Sequence, residues 1–191
     1  MTRSILQLLI PVFLASAVAA VAGDVAGTVR ARSKEPAGRI VVWLDGPKSE
    51  QSAIKKPAVV EQRSLQFMPK FIAVARGQVV QFPNHDNVAH SVYSSSPAKQ
   101  FNLGTFAEDD RRSVIADRVG LIEVRCEIHA NMYATVLVAP TSYFAEVDAS
   151  GTFSFSGVPP GQHRIVMWRE NSQPVVKPIT VGATGLTTVD F

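Results

Sequence analysis

Cys126-Glu127-Ile128-His129-Ala130-Asn131-Met132 sits between the strand-like run Gly120 to Arg125 and the apolar run Tyr133 to Ala139. It places the chain's one cysteine, one of its four histidines and a methionine at i, i+3 and i+6 of a loop between two strands. A lone cysteine is ordinarily a small core residue, and a lone methionine ordinarily fills a gap in packing. The conjunction changes the reading. Thiolate, imidazole and thioether are the donors that suit copper, whose sites accept a His2Cys plane with a long axial Met.

Such a plane needs a second imidazole. His90 is the candidate, in Phe82-Pro83-Asn84-His85-Asp86-Asn87-Val88-Ala89-His90-Ser91-Val92-Tyr93, where period-two alternation puts Val88, His90 and Val92 on one strand face. His85 falls on the opposite face of a regular strand and is not assigned as a ligand. The expected set is therefore His90, Cys126, His129 and Met132 around one copper ion. Only three methionines follow the first 23 residues, so a second site of this kind, as a storage protein would need, is not expected.

C-x-x-H-x-x-M resembles the ligand loop of cupredoxins of the amicyanin and plastocyanin type. Upstream, Phe67, Pro69, Val74, Gly77, Val79, Phe82, Asn84, Asp86, His90 and Val92 are similar to the same family's spacing, including relatives labelled methylamine-utilization-like. The resemblance covers about Pro57 to Pro140. It implies a Greek-key β-sandwich and a type 1 copper site cycling between Cu(I) and Cu(II). It also implies that His129 is the partly exposed ligand through which electrons leave, with Ala130 and Asn131 at the docking surface. Two positions depart from the pattern. Many relatives carry Asn directly after the first ligand histidine, where its amide ties the two ligand loops together; here Ser91 stands there, able to donate one hydrogen bond but shorter in reach. A Pro-Gly often opens the strand before the cysteine, and this chain has Val119-Gly120.

Residues 1–23 read as a secretory signal peptide: Arg3, an apolar run from Ile5 to Leu14, then Ala17-Val18-Ala19 or Ala20-Val21-Ala22 as a small-residue cleavage site. An uncleaved N-terminal anchor is the alternative. A periplasmic or otherwise exported protein is expected, with no membrane span in its mature form. In such an oxidising setting a single thiol is vulnerable unless buried or bound. Metal coordination would protect it.

Removing Arg3 lowers the formal net charge from +3 to +2, so nothing points to nucleic acid. Twelve glycines and twelve prolines between short β-branched runs indicate an all-β chain. Strands are expected at Val25 to Ala31 and Arg39 to Leu44, the second continuously apolar and hence buried on both sides. Within the central part they are expected at Ala58 to Phe67, at Phe71 to Phe82 with a break at Arg76-Gly77, at His90 to Ser94, around Phe101 to Leu103, and at Ser113 to Ala116. Further strands follow at Tyr143 to Val147, Gly151 to Ser156, Gln162 to Arg169, Val175 to Val181 and Leu186 to Phe191, separated by turns rich in Asp, Gly and Pro. The run Asp148 to Gly161, together with Val25 to Val29 and Arg39 to Leu44, resembles a carboxypeptidase-regulatory-like, or transthyretin-like, β-sandwich.

The expected organisation is thus a signal peptide (1–23), the first strands of that sandwich plus a linker (24–56), a cupredoxin copper domain (57–140), and the sandwich's remaining strands (141–191). The copper domain is inserted in the smaller sandwich or packed against it in sequence. His163 and Met167 share a face with Ile165 and read as packing or surface residues. The function expected is single-electron transfer between protein redox partners, by a monomer. Copper delivery or sensing stays open as an alternative, as does a carbohydrate- or protein-binding sandwich with a structural metal. An enzyme is not expected, because no nucleophile with a base and no acidic pair of recognisable spacing is present.

Overall fold

A computed structural model describes residues 22–30, 39–45, 54 and 56–191, and every described element is a β-strand. Residues 1–21 of the expected signal peptide and the expected linker Gly46 to Ser52 lie outside the described residues.

The two ends of the chain build one sandwich together. β1 (Gly23–Thr28) pairs antiparallel with β14 (Thr152–Val158) and parallel with β17 (Leu186–Thr188). β2 (Ile40–Asp45) lies between β13 (Phe144–Glu146) and β15 (Gly161–Arg169), with β16 (Val175–Val181) beyond β15. Gly23, the last residue assigned to the signal peptide, is already paired with Val158. Gly27 is required where it stands: a Cβ there would lie 1.6 Å from the Val189 carbonyl oxygen.

The middle of the chain forms a second sandwich. One sheet has the order β10 (Arg111–Ile115), β7 (Val79–Pro83), β3 (Ala58–Val59). Facing it is a five-stranded sheet of β6 (Phe71–Ala75), β12 (Tyr133–Ala139), β11 (Gly120–Arg125), β8 (His90–Ser96) and β9 (Lys99–Phe106), in that order. The pairing of β8 with β9 shifts register between Ser91 and Tyr93, where Gly104 on the facing strand takes a φ of 70°. Val60, Phe67, Phe82, Val92, Ile122, Val124 and Val136 fill the space between the sheets, and Cys126 and Met132 belong to the same cluster.

The two sandwiches share a third apolar contact. Alternation along β6 turns Val74 into its own core, and Phe71 and Ala73 outward. There they meet Leu137 of β12, Val41 and Trp43 of β2, Phe144 of β13 and Trp168 of β15, with Phe71 and Trp168 stacked at 6.1 Å and 4°. This accounts for the unbroken apolar run of β2. Val42 and Leu44 face the sandwich core, whereas Val41 faces the other sandwich. Stacked aromatic pairs of this kind add about 0.5–1.5 kcal/mol beyond their buried area.

Two local expectations fail. Ala58 to Phe67 is three elements, because the chain reverses between β4 (Glu61–Arg63) and β5 (Gln66–Met68), with Ser64 and Leu65 both at positive φ (54° and 57°). Neither is glycine or asparagine, and the Asp86 carboxylate supplies the stabilisation by accepting both their N–H groups. Val88 does not share the His90 face: β8 starts only at His90, and Val88 lies exposed in the bend before it.

Candidate metal centre

β11 and β12 form a hairpin whose last ladder pair is Arg125 with Tyr133, so Cys126 to Met132 is its connecting loop. The loop is closed on itself. Met132 N donates to the His129 carbonyl at 3.0 Å, and Cys126 N donates to the Met132 carbonyl at 3.3 Å. Asn102 Nδ2 on β9 also donates to the Glu127 carboxylate, at 3.0 Å. His90 enters from β8, the neighbour of β11 in the same sheet.

The donor atoms converge. One ligand atom each from His90, Cys126 and His129 lies within 4.8 Å of the others. The two Nδ1 atoms are 3.0 Å apart, and Cys126 Sγ is 3.8 Å from His129 Nδ1. Bonds of about 2.0–2.3 Å to one ion in a trigonal plane put donors roughly 3.5–3.7 Å apart. The observed spacing brackets that value, so the residues present fit a single ion.

His90 is fully buried, and its Nε2 lies 2.9 Å from Asp86 Oδ2. That bond fixes the proton on Nε2 and leaves the Nδ1 lone pair facing the other donors, the arrangement in which a second partner orients and strengthens a ligating imidazole. Partial burial pushes the Asp86 carboxyl up, but bonds from Leu65 N, His90 Nε2 and Ser64 N together hold it below its ordinary value. Asn84, also fully buried, supports the segment from beneath. It donates to the carbonyls of Val88 and Phe106 and accepts the Asp86 N–H.

Met132 is 1 % exposed and packs in the core cluster that contains Cys126. His129 is half-buried, between exposed Ile128 and exposed Ala130 and Asn131. Among the described residues, none of the apolar contact between the sandwiches belongs to this loop.

The remaining histidines stand apart from the cluster. His85 is exposed, 3.6 Å from Glu61. His163 is buried with Ile165 and Met167, and its Nε2 donates to the Pro159 carbonyl at 2.7 Å.

Two side chains contribute more than the sequence indicates. Asp86 stood in the matched spacing without a stated purpose, and its i, i+4 relation to His90 was the signal available. Ser91 reaches further than its length suggested: its Oγ accepts the Glu127 N–H at 2.7 Å and so ties the two ligand-bearing segments.

No protein-family model matches the chain, and neither does any curated protein. Solved structures match parts of it. A copper-containing nitrite reductase from Thermus scotoductus SA-01 is 20% identical, over 44% of this chain and 22% of its own, with a TM-score of 0.42. The Cu(I) form of an M98A mutant of amicyanin is 15% identical over 46% of this chain and 87% of its own, with a TM-score of 0.42. A purple cupredoxin from Nitrosopumilus maritimus is 20% identical over 43% of this chain and 99% of its own, with a TM-score of 0.40. This chain thus spans about a fifth of the nitrite reductase's length, and each likeness covers less than half of this chain.

Proposed function

We propose that this protein is an exported, cupredoxin-type single-electron carrier that holds one copper ion on His90, Cys126, His129 and Met132. The observation that carries the reading is the convergence of the His90, His129 and Cys126 donor atoms within 4.8 Å, with the other ring nitrogen of His90 already engaged by Asp86. Copper at such a site supplies a one-electron couple between Cu(I) and Cu(II).

The chain's own residues do the rest. His90 is locked by Asp86, and Cys126 is held at 5 % exposure where β11 ends. Met132 is buried in the core cluster beside Cys126, and its thioether would be the weak fourth donor. Donors fixed in this way need little rearrangement when the ion changes charge, which keeps the barrier to electron transfer low. His129 is the most exposed of the four, exposed Ile128 precedes it directly, and exposed Val88 stands two residues before His90. A protein partner with an apolar docking face fits this surface.

We read the outer sandwich as transthyretin-like, with the copper domain inserted between its second and third strands; the pairing of β1 and β2 with the C-terminal strands supports this. The apolar start of the sequence supports export. Among the described residues no helix is long and apolar enough to cross a membrane.

The test is to add Cu(II) to purified protein and record metal content with visible and EPR spectra. One equivalent and an intense thiolate-to-copper band, absent in Cys126→Ala, are expected. Copper retained through reduction and reoxidation supports a carrier. Loss of Cu(I) to a competing chelator on reduction would favour delivery instead, and failure to bind copper would overturn both.

A further inference from the structure

Ser91 follows the first imidazole directly and is fully buried against the sulfur. Its backbone N–H donates to Cys126 Sγ at 3.4 Å, and its hydroxyl oxygen lies 3.7 Å from the same sulfur. That oxygen also accepts the Glu127 N–H at 2.7 Å. A hydroxyl carries one proton and two lone pairs. The Glu127 amide occupies a lone pair, so the proton is left to find an acceptor. Cys126 Sγ is the acceptor within reach in the structure, and burial keeps water from competing for it.

We infer that Ser91 is a positioning residue that tunes the site, its O–H giving the Cys126 thiolate a second hydrogen bond beside the one from its own N–H. This rests on the copper reading above. Both donors pull negative charge from sulfur. A thiolate so polarised gives less to the ion, and Cu(II) depends on that donation more than Cu(I) does, so the reduced state is favoured. One electron from a protein partner converts Cu(II) to Cu(I). No bond is made or broken in the step, and the Ser91 proton stays on its oxygen. A hydrogen bond to a charged group shifts an equilibrium by roughly tenfold or more, which for one electron is ~59 mV per tenfold.

Asparagine can accept the Glu127 N–H through Oδ1, but its amide protons then sit on Nδ2, not on the one atom that in serine faces both Glu127 and the sulfur. The two jobs of Ser91 are therefore separable by substitution. Ser91→Ala removes both, Ser91→Asn keeps the tie to Glu127, and Ser91→Thr keeps both. All three retain the backbone N–H bond to sulfur.

The experiment measures, for wild type and the three variants, the reduction potential, the energy of the thiolate-to-copper band, and amide hydrogen exchange at Glu127 in metal-free protein. Expected are a potential lower by about tenfold in the reduced-to-oxidised ratio for Ser91→Ala and Ser91→Asn, with the band moved to lower energy in both. Ser91→Thr should match wild type. Exchange at Glu127 should speed up in Ser91→Ala but not in Ser91→Asn, showing that the potential follows the hydroxyl and not the loop tie. An unchanged potential in a blue, copper-loaded Ser91→Ala protein would overturn the inference while leaving the copper reading intact. A wild-type protein without the thiolate band would defeat the copper reading itself. Should Ser91→Ala fail to fold, Ser91→Asn against Ser91→Thr decides alone.

Discussion

Asp86 Oδ2 lies 2.9 Å from His90 Nε2, and the same carboxylate accepts the Ser64 and Leu65 N–H groups at 2.5 and 2.8 Å. One side chain therefore orients the His90 ring and holds a turn whose two central residues both have positive φ. Asparagine at this position has one oxygen where the carboxylate has two, so at least one donor loses its partner. Asp86→Asn is expected to destabilise the metal-free protein by about 1–3 kcal/mol and to weaken copper binding by roughly 10–100-fold. Denaturant unfolding and competition against a copper chelator measure the two effects. Unaltered affinity would mean that packing alone orients the His90 ring.

Met132 is enclosed in the core cluster, so Met132→Leu conserves volume and is expected to cost less than about 1.5 kcal/mol. It leaves two imidazoles and the thiolate in place. On the proposed ligand set colour should therefore persist, while loss of a weak thioether donor to Cu(II) should raise the reduction potential. Voltammetry of the blue variant reads this. A potential at or below the wild-type value would remove Met132 from the ligand set.

What could be read in advance depended on how far apart in sequence the interacting groups lie. The convergence of Cys126 with His129 was legible because their spacing within one loop is itself the chemical signal. His90 could be placed because only a second imidazole completes the plane. The reversal at Ser64-Leu65 was not legible, since neither residue favours positive φ and the carboxylate that makes it possible arrives 21–22 residues later. Ser91 was visible as a departure, but its reach to Glu127 depends on β8 and β11 lying side by side. The unbroken apolar run of β2 announced burial on both faces without saying that a second sandwich covers one of them.

Leu137 tests that cover. It is 4 % exposed and turned outward from β12 onto the other sandwich, five residues beyond Met132. Leu137→Ala leaves a hole there and is expected to lower stability by about 2–4 kcal/mol. Because the same contact joins both sandwiches, thermal unfolding should stay a single transition at lower temperature, with the copper spectrum unchanged below it. Two separated transitions in the wild type, only one of them moved by the substitution, would show that the sandwiches unfold independently.

Glu146 adds a pH-dependent term to the same contact. Its Oε1 accepts the Ala73 N–H at 2.6 Å, on β6, the edge strand of the five-stranded sheet. Burial of the carboxyl raises it above its ordinary value, and the Ala73 bond only partly offsets that. A raised folded-state value means that folding favours the protonated acid. The contribution to stability is therefore complete below the unfolded value of 4.5 and is lost as pH rises through the folded one. Glu146→Gln keeps an oxygen for Ala73 and cannot ionise. Its stability relative to wild type should improve as pH climbs from about 4 toward 7 and then level off. Much of the side chain is open to water, which screens the charge and keeps the effect small. Denaturation midpoints of both proteins across that range measure it. A difference that is flat with pH, or that turns against the variant, would mean that the Ala73 hydrogen bond outweighs the burial of the charge.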